Sequence, residues 1–318
     1  MKHTTFSQQA RALGTNIEFR LNIDSEKTAN VIFKKLWVQT ENFQNRFSRF
    51  LRSSELTKLN QNHGHKTAIS NNLVRILNKT AELSDLTEGV FNPFCIPLLQ
   101  KAGYIKSLDS LNSNPAIDYT DRKVVDTKEL KIGSNWALIP KNTAIDLGGI
   151  GKGYLADELS GYLDRVGIEN YCLSIGGDLV AKGKSNNKKW SIDVPSATSS
   201  NMTAGCQSKL NKFAVATSGL ARTVNGKRQP HLIDPRTQTL AKSPYITCSV
   251  ISEDCVSADV IASCILICGT AFAKKMLELN KIKGVLLQGE NQNNMLIMGT
   301  GFYSKVNQNS VTVEPINA

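Results

Sequence analysis

Apolar and polar residues alternate at Ile17, Phe19, Leu21 and Ile23, the period-two pattern of a half-buried strand. Ser25 then offers an N-cap, and Ile32, Phe33, Leu36 and Phe43 recur on one side of the helix it would open. A second helix is predicted through Leu73, Ile76, Leu77 and Ala81, with Gly89 after its end. Short apolar runs at 171–175, 190–194, 246–251, 285–287 and 295–298, divided by glycine-rich or polar turns, read as strands. Strands and helices mix without strict β-α-β alternation. That predicts an α+β fold of mainly antiparallel sheets with packed helices, over 1–318 as a single domain. The polar stretch at about 106–131 lacks periodicity and reads as a surface excursion.

Composition narrows the function classes. Lys plus Arg number 38 against 27 Asp plus Glu, a net charge of +11 that suits an anionic ligand, an acidic partner or a membrane surface, and equally a solvated basic face. The basic residues are scattered, with no arginine-aromatic stripe, so no nucleic acid is expected as a partner. No apolar run has the length of a signal peptide or a bilayer span, which predicts a cytoplasmic chain without a membrane anchor, although a chain whose leader had been removed would read the same. The 7 cysteines form no CxxC pair and lie mostly among apolar neighbours, the pattern of buried reduced thiols.

Candidate chemistry concentrates in four segments. Asp146-Leu147-Gly148-Gly149-Ile150-Gly151-Lys152-Gly153 leads from the apolar Ala144-Ile145 through a glycine turn into a helix. Backbone N–H groups without a Cβ in the way suit phosphate oxygens, and Lys152 adds positive charge. The spacing is neither a Walker loop nor GxGxxG, and a tight turn that merely permits packing would read the same. Asp259 and Ser263 stand four apart on an apolar helix for which Ser257 is the expected N-cap. Their hard oxygens could supply half a magnesium shell, while a carboxylate in a first helical turn also needs no metal to be favourable. His231 precedes the turn Asp234-Pro235-Arg236-Thr237 and could act as a base or serve structure. Leu173-Ser174-Ile175-Gly176-Gly177-Asp178 ends a strand at a double glycine, as a turn or as a ligand contact.

In order along the chain, these segments resemble the ApbE family of FAD:protein FMN transferases. The likeness runs through Ala12-Leu13-Gly14-Thr15, Arg46-Phe47-Ser48-Arg49-Phe50, Ser54-Glu55-Leu56, Glu88-Gly89-Val90-Phe91-Asn92-Pro93, 146–153, 174–178, Thr217-Ser218-Gly219, 231–237 and Ala258-Asp259 to Ser263. The resemblance implies a T-fold-like architecture with FAD in a cleft between subdomains, and Mg2+ held by a backbone oxygen at Gly149 and the side chains of Asp259 and Ser263. It implies FAD contacts at Leu13, Phe50, Val90, Phe91, Asn92, Asp146, Lys152 and Ile233. The implied reaction moves FMN from FAD to a Ser or Thr hydroxyl of an acceptor flavoprotein and releases AMP, with Lys152 and His231 in catalytic roles. The alternatives are an FAD pyrophosphatase using water at the same site, and a non-catalytic flavin carrier. Phe50 and Asn92 stand where family members commonly carry Tyr and Asp, and Gln238 stands where Gly commonly follows the Asp-Pro-x-Thr turn.

Overall fold

The computed structural model describes residues 4–103, 117–197, 202–224, 227–290, 294–305 and 311–314. Its centre is a nine-stranded sheet of β1 (Thr4–Ala12), β2 (Thr15–Ile23), β3 (Tyr171–Ile175), β4 (Asp178–Lys182), β5 (Lys212–Gly219), β6 (Tyr245–Ser252), β7 (Gly284–Gly289), β8 (Met295–Gly299) and β9 (Val311–Glu314), lying side by side in chain order. Every neighbouring pair is antiparallel except β8 and β9. The fold is therefore α+β and mainly antiparallel, as the pattern predicted.

Helices α1 (Glu26–Phe47), α2 (Glu55–Gln61), α3 (Asn71–Leu86), α4 (Ile96–Lys101) and α5 (Gly151–Arg165) are inserted between β2 and β3, and α6 (Cys255–Cys268) and α7 (Thr270–Glu278) between β6 and β7. Ser25 caps α1 by accepting the Thr28 N–H at 3.2 Å. The helix lays Ile32, Phe33 and Leu36 on Ile17, Phe19 and Leu21 of β2, where α5 adds Leu155, Leu159 and Leu163. Each such side chain, fully buried, contributes about 1.5–3 kcal/mol. Further along the same face, α6 and α7 cover Cys248, Val250, Val285 and Leu287. The opposite face is closed by a three-stranded sheet of Ile192–Pro195, Met202–Cys206 and Phe302–Ser304, with Trp190 in the shared core. Strands β3 to β8 lie between two layers, which is why apolar runs rather than alternation mark them.

Two expectations change. Helix α6 begins before Ser257, with Asp254 as its N-cap accepting the Ser257 N–H at 2.8 Å. The two preceding N–H groups, of Cys255 and Val256, go to the Asp157 carboxylate on α5 at 2.9 and 2.8 Å. Two carboxylates thus satisfy three of the donors that a helix start leaves orphaned. The excursion at about 106–131 is also only partly superficial. Residues 104–116 lie outside the described ones, but Tyr119, Thr127 and Leu130 are buried, and the Val125 carbonyl accepts a hydrogen bond from Asn92 at 2.8 Å. All seven cysteines are free. Among the described residues, no helix is long and apolar enough to cross a membrane.

Candidate active site

Two tight turns mark one end of the sheet. Leu13 and Gly14 join β1 to β2 with φ of 55° and 74°, and Gly176 and Gly177 join β3 to β4 with φ of 66° and 94°. Positive φ at both central residues is what a type I′ hairpin requires. Leucine adopts it only under strain, and such outliers gather at functional sites. The hairpins touch: a Cβ on Gly176 would lie 2.6 Å from the Thr15 hydroxyl. The Leu13 N–H is also fixed, donating to the Gln44 side chain on α1 at 2.7 Å.

Directly after the second turn stands Asp178, fully buried at the start of β4. One of its oxygens accepts the Thr217 N–H of β5 at 3.1 Å, and the other contacts the Lys152 ammonium. Lys152 lies in the first turn of α5, 3.6 Å from Asp259 Oδ1 on α6. The other Asp259 oxygen accepts the Gly153 N–H at 3.2 Å. One turn further along α6, Ser263 Oγ is 2.8 Å from Ser218 Oγ of β5. Lys152, Asp259 and Ser263 are thus brought together with Asp178 and Ser218, which the sequence offered only within the 173–178 and 217–219 segments and without a role of their own. No signal near Asp178 separates it from an ordinary strand start after Gly-Gly. Its partner is 26 residues away and reaches it only through the fold.

Gly153 explains how α5 and α6 come so close. A Cβ there would lie 2.6 Å from the Cys255 carbonyl oxygen and 2.7 Å from the Val256 Cα, so any larger residue would drive the two backbones apart. Gly149 is different. It is exposed, and a Cβ would meet only the edge of the Phe91 ring at 3.4 Å. Packing therefore requires Gly153 and leaves Gly148 and Gly149 open to the solvent side.

On that side, Asp146 makes an ion pair with Arg49 at 3.3 Å, and the Arg49 guanidinium lies 4.2 Å from the centre of the Phe50 ring. Arg49 is buried, so the pair orders Asp146 and Phe50 together. The charges of Asp146 and Asp234 both bear on the Cys95 thiol, which burial, the larger cause, pushes up to about 12. Val90 is buried in the core, and Phe91 is half-buried against it. The Asn92 side chain is engaged at both ends, donating to the Val125 carbonyl and accepting the Phe94 N–H at 2.8 Å in an Asx-type turn before Pro93. His231 is half-buried and its backbone N–H donates to the Leu220 carbonyl at 3.1 Å, two residues beyond Ser218. Ile233 pairs with Leu240 across a short hairpin. Asp234 is occupied by Arg236, whose guanidinium holds its carboxyl below the ordinary range.

Among the described residues, no three His, Cys, Asp or Glu side chains cluster as a metal site. A hard cation here would find one carboxylate, Asp259, plus the hydroxyls of Ser263 and Ser218. That donor set suits magnesium, which takes one or two carboxylates and completes its shell with neutral and phosphate oxygens.

A family model described as the ApbE family matches residues 13–286. The chain belongs to the ApbE family. Among its ApbE relatives, the FAD:protein FMN transferase of Vibrio cholerae is 25% identical over 260 residues, covering 78% of this chain and 76% of the relative. That of Haemophilus influenzae is 27% identical over 257 residues, covering 76% and 74%. The solved ApbE protein of Thermotoga maritima superposes with a TM-score of 0.76 at 21% identity, over 89% of this chain and 94% of that one. The flavin transferase ApbE of Vibrio cholerae gives 0.73 at 22% identity, over 97% and 98%. One departure from the ApbE pattern now has a conformation: Gln238 adopts φ of 58°, the left-handed region that glycine occupies freely.

Proposed function

We propose that this protein is a magnesium-dependent transferase that moves the FMN half of FAD onto a Ser or Thr hydroxyl of an acceptor flavoprotein and releases AMP. The observation that carries this reading is the convergence of Lys152, Asp259 and Ser263, from segments about a hundred residues apart, beside an exposed glycine turn. The relatives' names supply the substrates, and the donor chemistry fits them. FAD would lie in a cleft between subdomains, against Leu13, Phe50, Val90, Phe91, Asn92, Asp146, Lys152 and Ile233, with its pyrophosphate toward Lys152.

In this reading Asp259, Ser263 and the Gly149 backbone oxygen hold Mg2+, which supplies charge neutralisation at the pyrophosphate. Lys152 binds the same oxygens and steadies negative charge as it develops, the dominant requirement in phosphoryl transfer. The acceptor oxygen forms a bond to the FMN phosphorus, the bond from that phosphorus to the bridging oxygen breaks, and AMP leaves with that oxygen. His231 orients the hydroxyl and takes its proton. The glycine turn leaves the phosphorus open to an approaching protein segment.

The alternatives differ in their products. Chromatography of FAD incubated with the protein and Mg2+, with and without an acceptor fragment carrying an Asp-Gly-x-Ser/Thr-Gly-Ala-Thr-like motif, separates them. AMP release that depends on the acceptor, without free FMN, is expected. AMP and FMN in equal amounts without acceptor would make the protein an FAD pyrophosphatase, and no AMP under either condition would leave a flavin carrier.

A further inference from the structure

Lys152 stands between two carboxylates that hold it unequally. Asp178 is fully buried and in contact with the ammonium, whereas Asp259 Oδ1 remains 3.6 Å away. Neither carboxylate is free to turn, because Asp178 also accepts the Thr217 N–H and Asp259 the Gly153 N–H. Asp178 is further fixed by its place opposite Ile175 across the Gly176–Gly177 turn. A buried carboxylate without a partner is costly, so it keeps its cation. With Asp178 neutralised, the nearest anion to the ammonium becomes Asp259, and closure would occupy Oδ1, the oxygen that accepts no backbone hydrogen bond.

We propose that Asp178 is a positioning residue that tethers Lys152 away from Asp259, so that Asp259 Oδ1 stays open to a divalent cation while the ammonium remains beside it. The inference rests on reading Asp259 as a cation ligand. It adds that the ligand is kept available by a second carboxylate that does not itself touch the cation.

The test uses the purified full chain and Mn2+ as probe, with bound and free metal counted by electron paramagnetic resonance in the absence of FAD. Asp178→Asn should weaken Mn2+ binding by roughly 10-fold or more, the usual scale for a residue that orders a metal ligand. Loss of a nearby negative charge would also weaken binding, so the lysine decides between the two causes. In the background of Lys152→Met, the tether predicts that adding Asp178→Asn changes affinity little. An equal loss with and without the lysine would overturn the proposal in favour of a field effect.

Lys152→Met alone strands a buried carboxylate and can fail to fold, so a crystal structure of Asp178→Asn gives the second measurement. The Lys152 ammonium should close on Asp259 to an ion-pair distance of about 2.8 Å. An ammonium still held away from Asp259 would contradict the tether. If wild type binds no Mn2+ at all, the reading of Asp259 as a ligand fails first, a result distinct from tight binding that Asp178→Asn leaves unchanged.

Discussion

Gln238 shows how a single position can carry strain that its neighbours impose. The turn after Asp234-Pro235 holds it at φ of 58°, with its N–H donating to the Asp234 carbonyl at 2.8 Å. A non-glycine residue costs roughly 1–2 kcal/mol in that conformation, against about 0.5–1 kcal/mol for the extra chain entropy that glycine loses on folding. Gln238→Gly should therefore raise stability, by about 0.5 kcal/mol in urea unfolding, and a loss of stability would show that the exposed glutamine makes a compensating contact. The departure from the family pattern was legible in the sequence; its conformation was not. Asp259 and Ser263 were legible because helical spacing places them on one face. Asp178 was not, since its meaning comes from Lys152 and Thr217, which only sheet pairing and the α5 start bring to it.

The contact between α5 and α6 organises the site. The glycine at 153 lets the helices touch, and two glycines of one motif therefore predict opposite outcomes. Gly153→Ala should destabilise the protein by about 1–3 kcal/mol or more, because the atoms it meets are backbone and cannot swing aside. Gly149→Ala should leave the melting temperature nearly unchanged, since only the Phe91 ring must yield. Equal destabilisation in the two variants would contradict this division.

Asp157 joins the same helices and makes stability pH-dependent. Burial, the largest cause, pushes its carboxyl from the ordinary 3.8 up to about 7, against the two N–H donors at the start of α6. The folded protein thus holds this proton more tightly than the unfolded chain. Its contribution is fully present below about pH 4 and is lost as pH rises toward 7, by up to about 1.4 kcal/mol per pH unit. Denaturant titrations at pH 4.5 and 7 should show wild type losing stability relative to Asp157→Asn over that interval. A constant difference between the two proteins would mean that Asp157 is ionised throughout.

For the molecule as a whole, the sheet runs in chain order from β1 to β9 while two insertions carry the helices that build the site. Alternation revealed β2, but β1 was unreadable because an edge strand exposed along most of its length has no apolar face to mark it. Strands β4 and β5 are covered on both faces like β3 and β6 to β8, so they carry short apolar runs, 179–181 and 213–216, rather than alternation; they went unpredicted. The site lies where the second insertion meets the first, α6 against the 146–153 turn, and this explains why each motif was ambiguous alone. The net charge of +11 adds a favourable field for an anionic dinucleotide.

If this junction moves FMN to another protein with the help of a cation at Asp259, the acceptor must gain the mass of the flavin only when that carboxylate and the cation are present. Intact-mass analysis of an acceptor fragment, incubated with FAD, Mg2+ and either wild type or a folded Asp259→Ala variant, tests it most directly. An acceptor heavier by one FMN phosphoester is expected with wild type, and an unmodified acceptor with the variant or after magnesium is chelated. An acceptor flavinylated equally well by Asp259→Ala would contradict it.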